Sequence, residues 1–190
     1  AKFQLYDVDS LFPNKEILVN DRNWYKEVKK TQLTKKQTIE LATYCKKVEI
    51  EFLASCFDLV RFGWLEQIGV KRHKVATRVN KDKKLIDSMI ATGKEILLSC
   101  NIYPYKITER PFYPPNQFGL AISQYSLLYC IPNYPTKIAD LRMPLFSLTG
   151  LTNEYRGFSD HTIGLDAAKI ALSRGAKYIE KHFTLDKSMD

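Results

Sequence analysis

The sequence lacks cysteine pairs and glycine-rich loops, and each absence removes a class of protein. None of its four cysteines forms a C-x-x-C pair, so neither a structural zinc clasp nor a redox dithiol is predicted. They lie mostly in apolar segments, which predicts buried free thiols in a reducing compartment, at Cys45, Cys56, Cys100 and Cys130. No G-x-G-x-x-G loop follows any strand-like run, which argues against a dinucleotide-binding fold.

Long apolar runs are also absent. No uninterrupted run approaches the roughly 18 residues that a membrane helix requires, and no signal-peptide pattern opens the chain. We therefore expect a cytoplasmic protein that does not bind a membrane. With 190 residues, of which 45% are hydrophobic and 26% charged, the chain can bury one substantial core.

The net charge of +8, from 29 basic and 21 acidic residues, could indicate nucleic acid or a site that attracts anionic metabolites. No recognition-helix or RNA-binding motif accompanies the charge. The lysines are scattered or lie on helix faces, such as Lys26, Lys29, Lys30, Lys35 and Lys36. A solvated surface is therefore the favoured interpretation, and we expect no nucleic-acid partner.

Short strand-like runs alternate with helical patterns along the chain, which predicts an α/β protein with a parallel sheet and favours a (β/α) barrel. The predicted helices are Lys35 to Val48, with Thr34 as N-cap, Asp58 to Gln67, Asp82 to Ala91 and Leu165 to Ser173. The predicted strands are Ala1 to Leu5, Glu51 to Ser55, His73 to Thr77, Glu95 to Ser99, Ser126 to Ile131, Arg156 to Ser159 and Lys177 to Phe183.

Two regions break this alternation. Four prolines between Asn101 and Gln117 predict a loop-like crossover, because each proline removes a backbone donor. A short helical piece is predicted from Phe118 to Gln124. The opening region from Tyr6 to Asn23 is predicted to be irregular.

Two histidines follow the last two predicted strands and are separated by one helix length of sequence. If these strands are parallel neighbours, their ends lie side by side, and a divalent cation could bind between His161 and His182. Period-2 alternation also places Glu180 on the same face as His182. Spacing alone leaves open the alternative that the two histidines are unrelated packing residues.

Other polar side chains gather at the predicted strand exits, where barrel enzymes carry out their chemistry. Lysines, hydroxyls and an amide converging on one rim predict a cradle for phosphate or carboxylate. For any single Ser or Thr, a local turn or cap is the alternative. The predicted rim residues are Lys2, Gln4, Ser55, Lys74, Thr77, Ser99, Asn133, Ser159, His161, Glu180 and His182.

Several motifs together resemble one known family. They are GFSDHTIG at 157–164, IEKHFTLDKSMD at 179–190, KFQ at 2–4, HKVAT at 73–77 followed by LID at 85–87, and NYPT at 133–136. These motifs resemble the sialic acid synthases, the N-acetylneuraminate synthase family of phosphoenolpyruvate-dependent condensing enzymes. The resemblance extends over nearly the whole chain.

The resemblance implies an incomplete (β/α)8 TIM barrel over residues 1–190, with strands two to eight present. The first βα unit and a C-terminal antifreeze-like domain are expected to lie outside this chain, and the full-length protein is expected to be a homodimer. A Mn²⁺ or Mg²⁺ ion is implied at His161 and His182. The residues implied to bind substrate are Lys2, Ser55, Lys74, Thr77, Ser99, Asn133 and Ser159.

The implied reaction joins phosphoenolpyruvate to the metal-polarised aldehyde of an N-acetylated amino sugar such as N-acetylmannosamine, giving a nonulosonic acid and phosphate. Glu180 and His182 are the candidate catalytic residues for this reaction, and Glu180 is expected to move a proton or orient water because strand alternation places it on the same side as His182. The alternative is a noncatalytic binding or assembly module in surface polysaccharide biosynthesis. Val79, where many relatives carry a glutamate, and the changed residues Cys100 and Asn101 favour that alternative, whereas the histidines and lysines favour the enzyme.

Overall fold

A computed structural model describes residues 1–19, 21–100, 124–146 and 155–186. It divides the chain into two compact units, Ala1–Lys74 and Val75–Asp190. The predicted crossover loop and nearly all of the helical piece predicted after it lie outside the described residues. Among the described helices, none combines the length and apolar character needed to cross a membrane.

The first unit contains parallel strands and the helices that connect them. The elements in chain order are β1 (Lys2–Leu5), α1 (Val8–Leu11), β2 (Leu18–Val19), β3 (Arg22–Asn23), α2 (Trp24–Lys30), α3 (Lys35–Lys47), β4 (Leu53–Cys56), α4 (Leu59–Ile68) and β5 (Arg72–Val75). The parallel strands pair in the order β1-β4-β5. A short antiparallel hairpin, β2-β3, lies between β1 and β4 in the sequence.

The described elements of the second unit are a 3-10 turn (Thr77–Val79), α5 (Lys83–Ala91), β6 (Glu95–Cys100), β7 (Tyr125–Cys130), a second 3-10 turn (Ile138–Asp140), β8 (Tyr155–Asp160), α6 (Asp166–Ser173) and β9 (Tyr178–Lys181). Its four strands are parallel and pair in the order β6-β7-β8-β9. Because the chain order and the spatial order coincide, the carboxyl end of each strand lies next to that of the following strand.

The α/β class and the parallel pairing are confirmed, and every predicted strand and helix among the described residues is present within one or two residues of its predicted bounds. Two strand ends were predicted wrongly. The strand predicted to end at Thr77 ends at Val75, and Thr77 lies in a 3-10 turn. The strand predicted to end at Phe183 ends at Lys181, so His182 follows the ladder instead of belonging to it. The eight-stranded barrel count remains a prediction.

The prediction of an irregular opening region was wrong in part, because α1 and the hairpin lie within it. Local capping explains α1: the Asp7 carboxylate accepts the backbone N–H of Ser10. That bond and Arg61 lower the pKa of Asp7. Apolar packing also stabilises this region, since Tyr6, Val8, Phe12 and Tyr25 form a buried cluster. Its aromatic and β-branched residues are spread without a helical period, so the sequence pattern alone did not predict it.

The caps of the longer helices follow the sequence signals. Thr34 and Gln37 form a reciprocal capping box at the start of α3, as expected from Thr34. Gly69 ends α4 in a left-handed conformation with φ of 78°. These signals fix the start of α3 and the end of α4.

The four cysteines are free and buried, which confirms their predicted state. Burial raises the pKa of the Cys56 thiol to about 12, and Asp58 and Glu66 add to the rise. A thiol held neutral in this way packs like a small apolar side chain.

The strands of the second unit pack closely around Gly157. A Cβ added there would lie 2.6 Å from Leu128 Cδ2, 2.6 Å from Tyr178 Cβ and 2.6 Å from the Tyr178 carbonyl oxygen. We predict that Gly157→Ala lowers the free energy of unfolding by about 1–3 kcal/mol, because the strands on both sides must shift.

Gly63→Ala is the matched control, since a Cβ at that position in α4 meets nothing within 4 Å. This variant should instead gain about 0.5–1 kcal/mol, because alanine loses less backbone entropy in a helix. Urea unfolding of both variants measures the difference. Equal stabilities would contradict the close approach at Gly157.

Candidate functional site

The ends of β8 and β9 form the centre of the candidate site. Their parallel ladder pairs Ser159 with Glu180 and then, as its last pair, Asp160 with Lys181. His161 and His182 are the next residues of the two strands. The two imidazoles therefore follow a matched pair of strand ends.

The imidazoles of His161 and His182 lie with their ring centroids 5.4 Å apart and their planes at 68°. Metal–nitrogen bonds are about 2 Å long, so two imidazoles that share a metal have centroids up to about 6 Å apart. The observed separation therefore fits a shared coordination sphere. It also fits the expectation that parallel neighbouring strands bring the two histidines together.

A backbone carbonyl fixes the protonation pattern of His161. Its Nδ1 lies 2.8 Å from the carbonyl oxygen of Ile131, which can only accept a hydrogen bond. Nδ1 therefore carries the proton, and Nε2 carries the lone pair that could bind a metal. The loop after β7 holds the same residue from its backbone, since the Thr136 N–H donates to the His161 carbonyl at 2.9 Å.

Tyr134 is a site residue that the sequence reasoning missed. Its ring centroid lies 4.0 Å from that of His161 and 5.4 Å from that of His182. The tyrosine therefore contacts both imidazoles from the β7 side. A signal was available, because Tyr134 stands inside the NYPT motif from which only Asn133 was selected.

Glu180 is held next to the imidazole pair by a neighbouring hydroxyl. The Ser159 Oγ donates to the Glu180 carboxylate at 2.7 Å, across the ladder from β8 to β9. Ser159, which is 3% exposed, was predicted to bind substrate. In this structure its hydroxyl orients the predicted acid–base residue.

The donor set limits which metal could bind. Within the described residues, no group of three or more His, Cys, Asp and Glu side chains is placed to hold a metal ion. The two imidazoles alone would leave several coordination positions for oxygen atoms of water or substrate. Mn²⁺ and Mg²⁺ prefer oxygen-rich shells, so a pair of histidines with open positions fits such a cation better than a structural zinc.

The other predicted residues of the second unit lie near the carboxyl ends of the preceding strands. The Thr77 hydroxyl is 3.5 Å from the Ser99 carbonyl oxygen and 3.4 Å from the Cys130 sulfur. Ser99 is buried on β6. Asn133 is exposed in the loop after β7, where its N–H donates to the Ile131 carbonyl at 2.8 Å. Thr77 thus lies in a turn, which was the alternative for a single Ser or Thr.

The predicted anion-binding residues of the first unit share one face of its sheet. Parallel pairing aligns Gln4 with Ser55 and Ser55 with Lys74. Lys2 lies two residues before Gln4 and therefore on the same face. Lys74 is 2% exposed, which is rare for a lysine. The Gln4 amide, the Ser55 hydroxyl and the Lys74 amine thus lie side by side across three strands. The Lys2 amine lies on the same face, two residues along β1 from Gln4.

Ser55 is fully buried, and within the described residues its hydroxyl has no hydrogen-bond partner. An unsatisfied buried hydroxyl costs about 1–3 kcal/mol. A ligand oxygen would remove that cost. The orphan hydroxyl, in register with a buried lysine, is the observation that favours an anion site in this unit.

Comparison with known proteins places the chain in a family. The model of the NeuB family matches residues 1–190, which is every residue of the chain. The chain belongs to the NeuB family. This match confirms the resemblance to sialic acid synthases that the sequence motifs indicated.

Named relatives of this NeuB-family chain include synthases of N,N'-diacetyllegionaminic acid and of N-acetylneuraminate 9-phosphate. It is 30% identical, over 90% of its length, to the N,N'-diacetyllegionaminic acid synthase of Campylobacter jejuni, and covers 51% of that protein. It is 27% identical, over 99% of its length, to the N-acetylneuraminate-9-phosphate synthase of Drosophila melanogaster, and covers 52% of it. The chain thus spans about half the length of these curated relatives.

A solved structure supports the same assignment. The fold superposes on the N-acetylneuraminic acid (sialic acid) synthetase of Leptospira borgpetersenii with a TM-score of 0.77 and 26% identity. The match covers 97% of this chain and 62% of that one. The NeuB-family chain therefore shares the α/β architecture of a sialic acid synthetase.

The orphan hydroxyl of Ser55 gives a prediction about stability. We expect the free energy of unfolding of Ser55→Ala to lie within about 0.5 kcal/mol of the wild-type value, or above it, because no hydrogen bond is lost. Ser126→Ala is the matched control: Ser126 is equally buried on a strand, but its hydroxyl donates to Glu95 at 3.1 Å and accepts from Arg156 at 3.3 Å.

The free energy of unfolding of Ser126→Ala should fall by about 1–2 kcal/mol, since a partly buried carboxylate and a partly buried guanidinium each lose a partner. Urea unfolding at one pH measures both variants. A loss at Ser55 as large as that at Ser126 would mean that the Ser55 hydroxyl has a partner in the folded protein.

Proposed function

We propose that this chain carries the condensing centre of a nonulosonic acid synthase. The proposed reaction joins phosphoenolpyruvate to an N-acetylated amino sugar, such as N-acetylmannosamine, and releases phosphate. The membership of the whole chain in the NeuB family supports this class of reaction, because its named relatives are synthases of such acids. The homodimer expected for the full-length protein remains a prediction.

The observation that carries the proposal is the placement of His161 and His182. Their rings lie 5.4 Å apart at neighbouring strand ends, and the Ile131 carbonyl fixes the tautomer of one of them. In this proposal the two imidazoles hold a Mn²⁺ or Mg²⁺ ion. Such an ion supplies Lewis-acid polarisation of a carbonyl oxygen when it is bound.

Glu180 is the proposed acid–base residue of the second unit. Its carboxylate accepts the Ser159 hydroxyl at 2.7 Å, so one oxygen is held in a fixed direction. A carboxylate fixed in this way can take a proton from water, or return one, without first reorienting. Ser159 is then a positioning residue for Glu180.

Ser55 and Lys74 are the proposed anion ligands of the first unit. Phosphoenolpyruvate carries a phosphate and a carboxylate, and both accept charge-assisted hydrogen bonds from lysine. The buried hydroxyl of Ser55 would gain the partner that it lacks among the described residues. Lys2 lies on the same face two residues from the register partner of Ser55, where it could bind the second anionic group.

The test is metal-dependent release of phosphate from phosphoenolpyruvate in the presence of N-acetylmannosamine or a related amino sugar. We expect turnover to require Mn²⁺ or Mg²⁺ and to stop when a chelator removes the ion. His182→Ala should lower the rate at least a hundredfold, because one of the two imidazoles is lost. Lys177→Ala, at the exposed residue before β9, should keep the rate of the wild type.

Binding measurements separate the enzyme from a noncatalytic module. Isothermal titration should detect phosphoenolpyruvate, with affinity about tenfold weaker in Ser55→Ala, consistent with one hydrogen bond to a charged ligand. Binding of phosphoenolpyruvate and metal without turnover of any amino sugar would contradict the synthase and leave the module in polysaccharide biosynthesis. Binding of neither would contradict both sites.

A further inference from the structure

The face of β8 and β9 opposite Ser159 and Glu180 carries a partly buried ion pair. Asp160 and Lys181 form the last pair of the ladder, and each directly precedes one of the two histidines. Because side chains alternate along a strand, this ion pair lies on the other face from the hydrogen-bonded Ser159 and Glu180. It therefore takes no direct part in the candidate site.

The hydrogen bonds of this pair bracket His161. Lys181 Nζ donates to Asp160 Oδ2 at 2.7 Å and to the Thr162 carbonyl oxygen at 2.8 Å. The other Asp160 oxygen, Oδ1, accepts the Thr162 N–H and hydroxyl, each at 2.8 Å. One ammonium group thus binds the residues on both sides of His161, while its own backbone leads directly into His182.

Burial makes this connection stiff. The Asp160 side chain has an exposed fraction of 0% and the Lys181 side chain one of 20%. A buried ion pair contributes little net stability, because desolvation offsets much of the attraction, and apolar residues of similar volume often replace it without loss. What the pair does supply is a fixed geometry, since several short charge-assisted bonds meet at one point.

The ladder leaves the imidazoles in need of such a constraint. Backbone pairing between β8 and β9 ends at Asp160 and Lys181, so no further rung joins the two histidines. Without another link, small changes in the direction of either chain would alter the distance between the rings. The link on the opposite face removes that freedom from both chains at once.

We propose that Asp160, Lys181 and Thr162 form a positioning device that sets the separation of His161 and His182 for binding a divalent cation. The inference rests on the proposed function, in which these imidazoles hold the metal. All three residues act through the backbone of the histidines. They are positioning residues, and none is assigned contact with metal or substrate.

The test measures Mn²⁺ affinity by isothermal titration in the intact protein. Lys181→Met should weaken Mn²⁺ binding about tenfold or more, in the range found when residues supporting metal ligands are changed. Lys181→Arg should restore affinity to within about threefold, because arginine can bind the same two oxygens. Lys83→Met is the matched control: Lys83 pairs with Asp87 on the exposed surface of α5, so the change in net charge is the same.

The double variant Asp160→Asn with Lys181→Met separates geometry from charge. It leaves the net charge of the pair at zero and keeps an oxygen that can accept from Thr162, so long-range attraction of the cation is unchanged. It also leaves no buried carboxylate without a partner, which keeps the test available if Lys181→Met does not fold. We expect it to bind Mn²⁺ as weakly as the single variant. Wild-type affinity in the folded double variant would overturn the proposal.

A readout without metal tests the positioning itself. In the metal-free protein, the ¹⁵N chemical shifts of the two imidazoles should change in Lys181→Met and in the double variant but not in Lys83→Met. Unchanged shifts would also overturn the proposal. His161→Ala and His182→Ala distinguish the two levels of inference, because Mn²⁺ affinity unaffected by either would contradict the metal site of the proposed function and not only the device beside it.

Discussion

The parallel pairing of β8 with β9 is the constraint on which the candidate site depends. In-register pairing places Ser159 beside Glu180 and Asp160 beside Lys181, so each rung joins side chains that complement each other. The inner rung orients a carboxylate, and the outer rung joins a buried carboxylate to a partly buried ammonium group. The two imidazoles inherit their proximity from these rungs. A shift of one residue in the register would exchange the faces and separate every one of these pairs.

The close approach of the strands makes this arrangement possible. Gly157 lies in register with Leu128 on one side and Tyr178 on the other, and no side chain at that position could fit between them. The loop after β7 then completes the surroundings of His161, through the Ile131 carbonyl, Thr136 and the ring of Tyr134. Three consecutive strands therefore contribute to the position of one imidazole.

Much of this arrangement could be predicted from the sequence, because it depends on local periodicity. Alternation identified the described strands, and caps such as Thr34 identified the helix starts. The proximity of His161 and His182 followed from one rule, that parallel neighbours end at the same edge. The role of Ser159 did not follow, since the partner of a hydroxyl depends on register across two strands. Asp160 and Lys181 were missed for the same reason, since their ion pair joins two strands that are 21 residues apart in the chain, and the contact of Tyr134 with His161 likewise joins separate segments.

The orphan hydroxyl of Ser55 has a consequence for how this family can be surveyed. A large-scale screen of substitutions that scores only cellular abundance would rank alanine at this position as harmless, because the fold gains nothing from the hydroxyl. Homologues under selection for heat resistance alone would drift towards small apolar residues there. Homologues that keep a hydroxyl at this position would then be those in which binding of an anionic ligand, and not folding, maintains the hydroxyl.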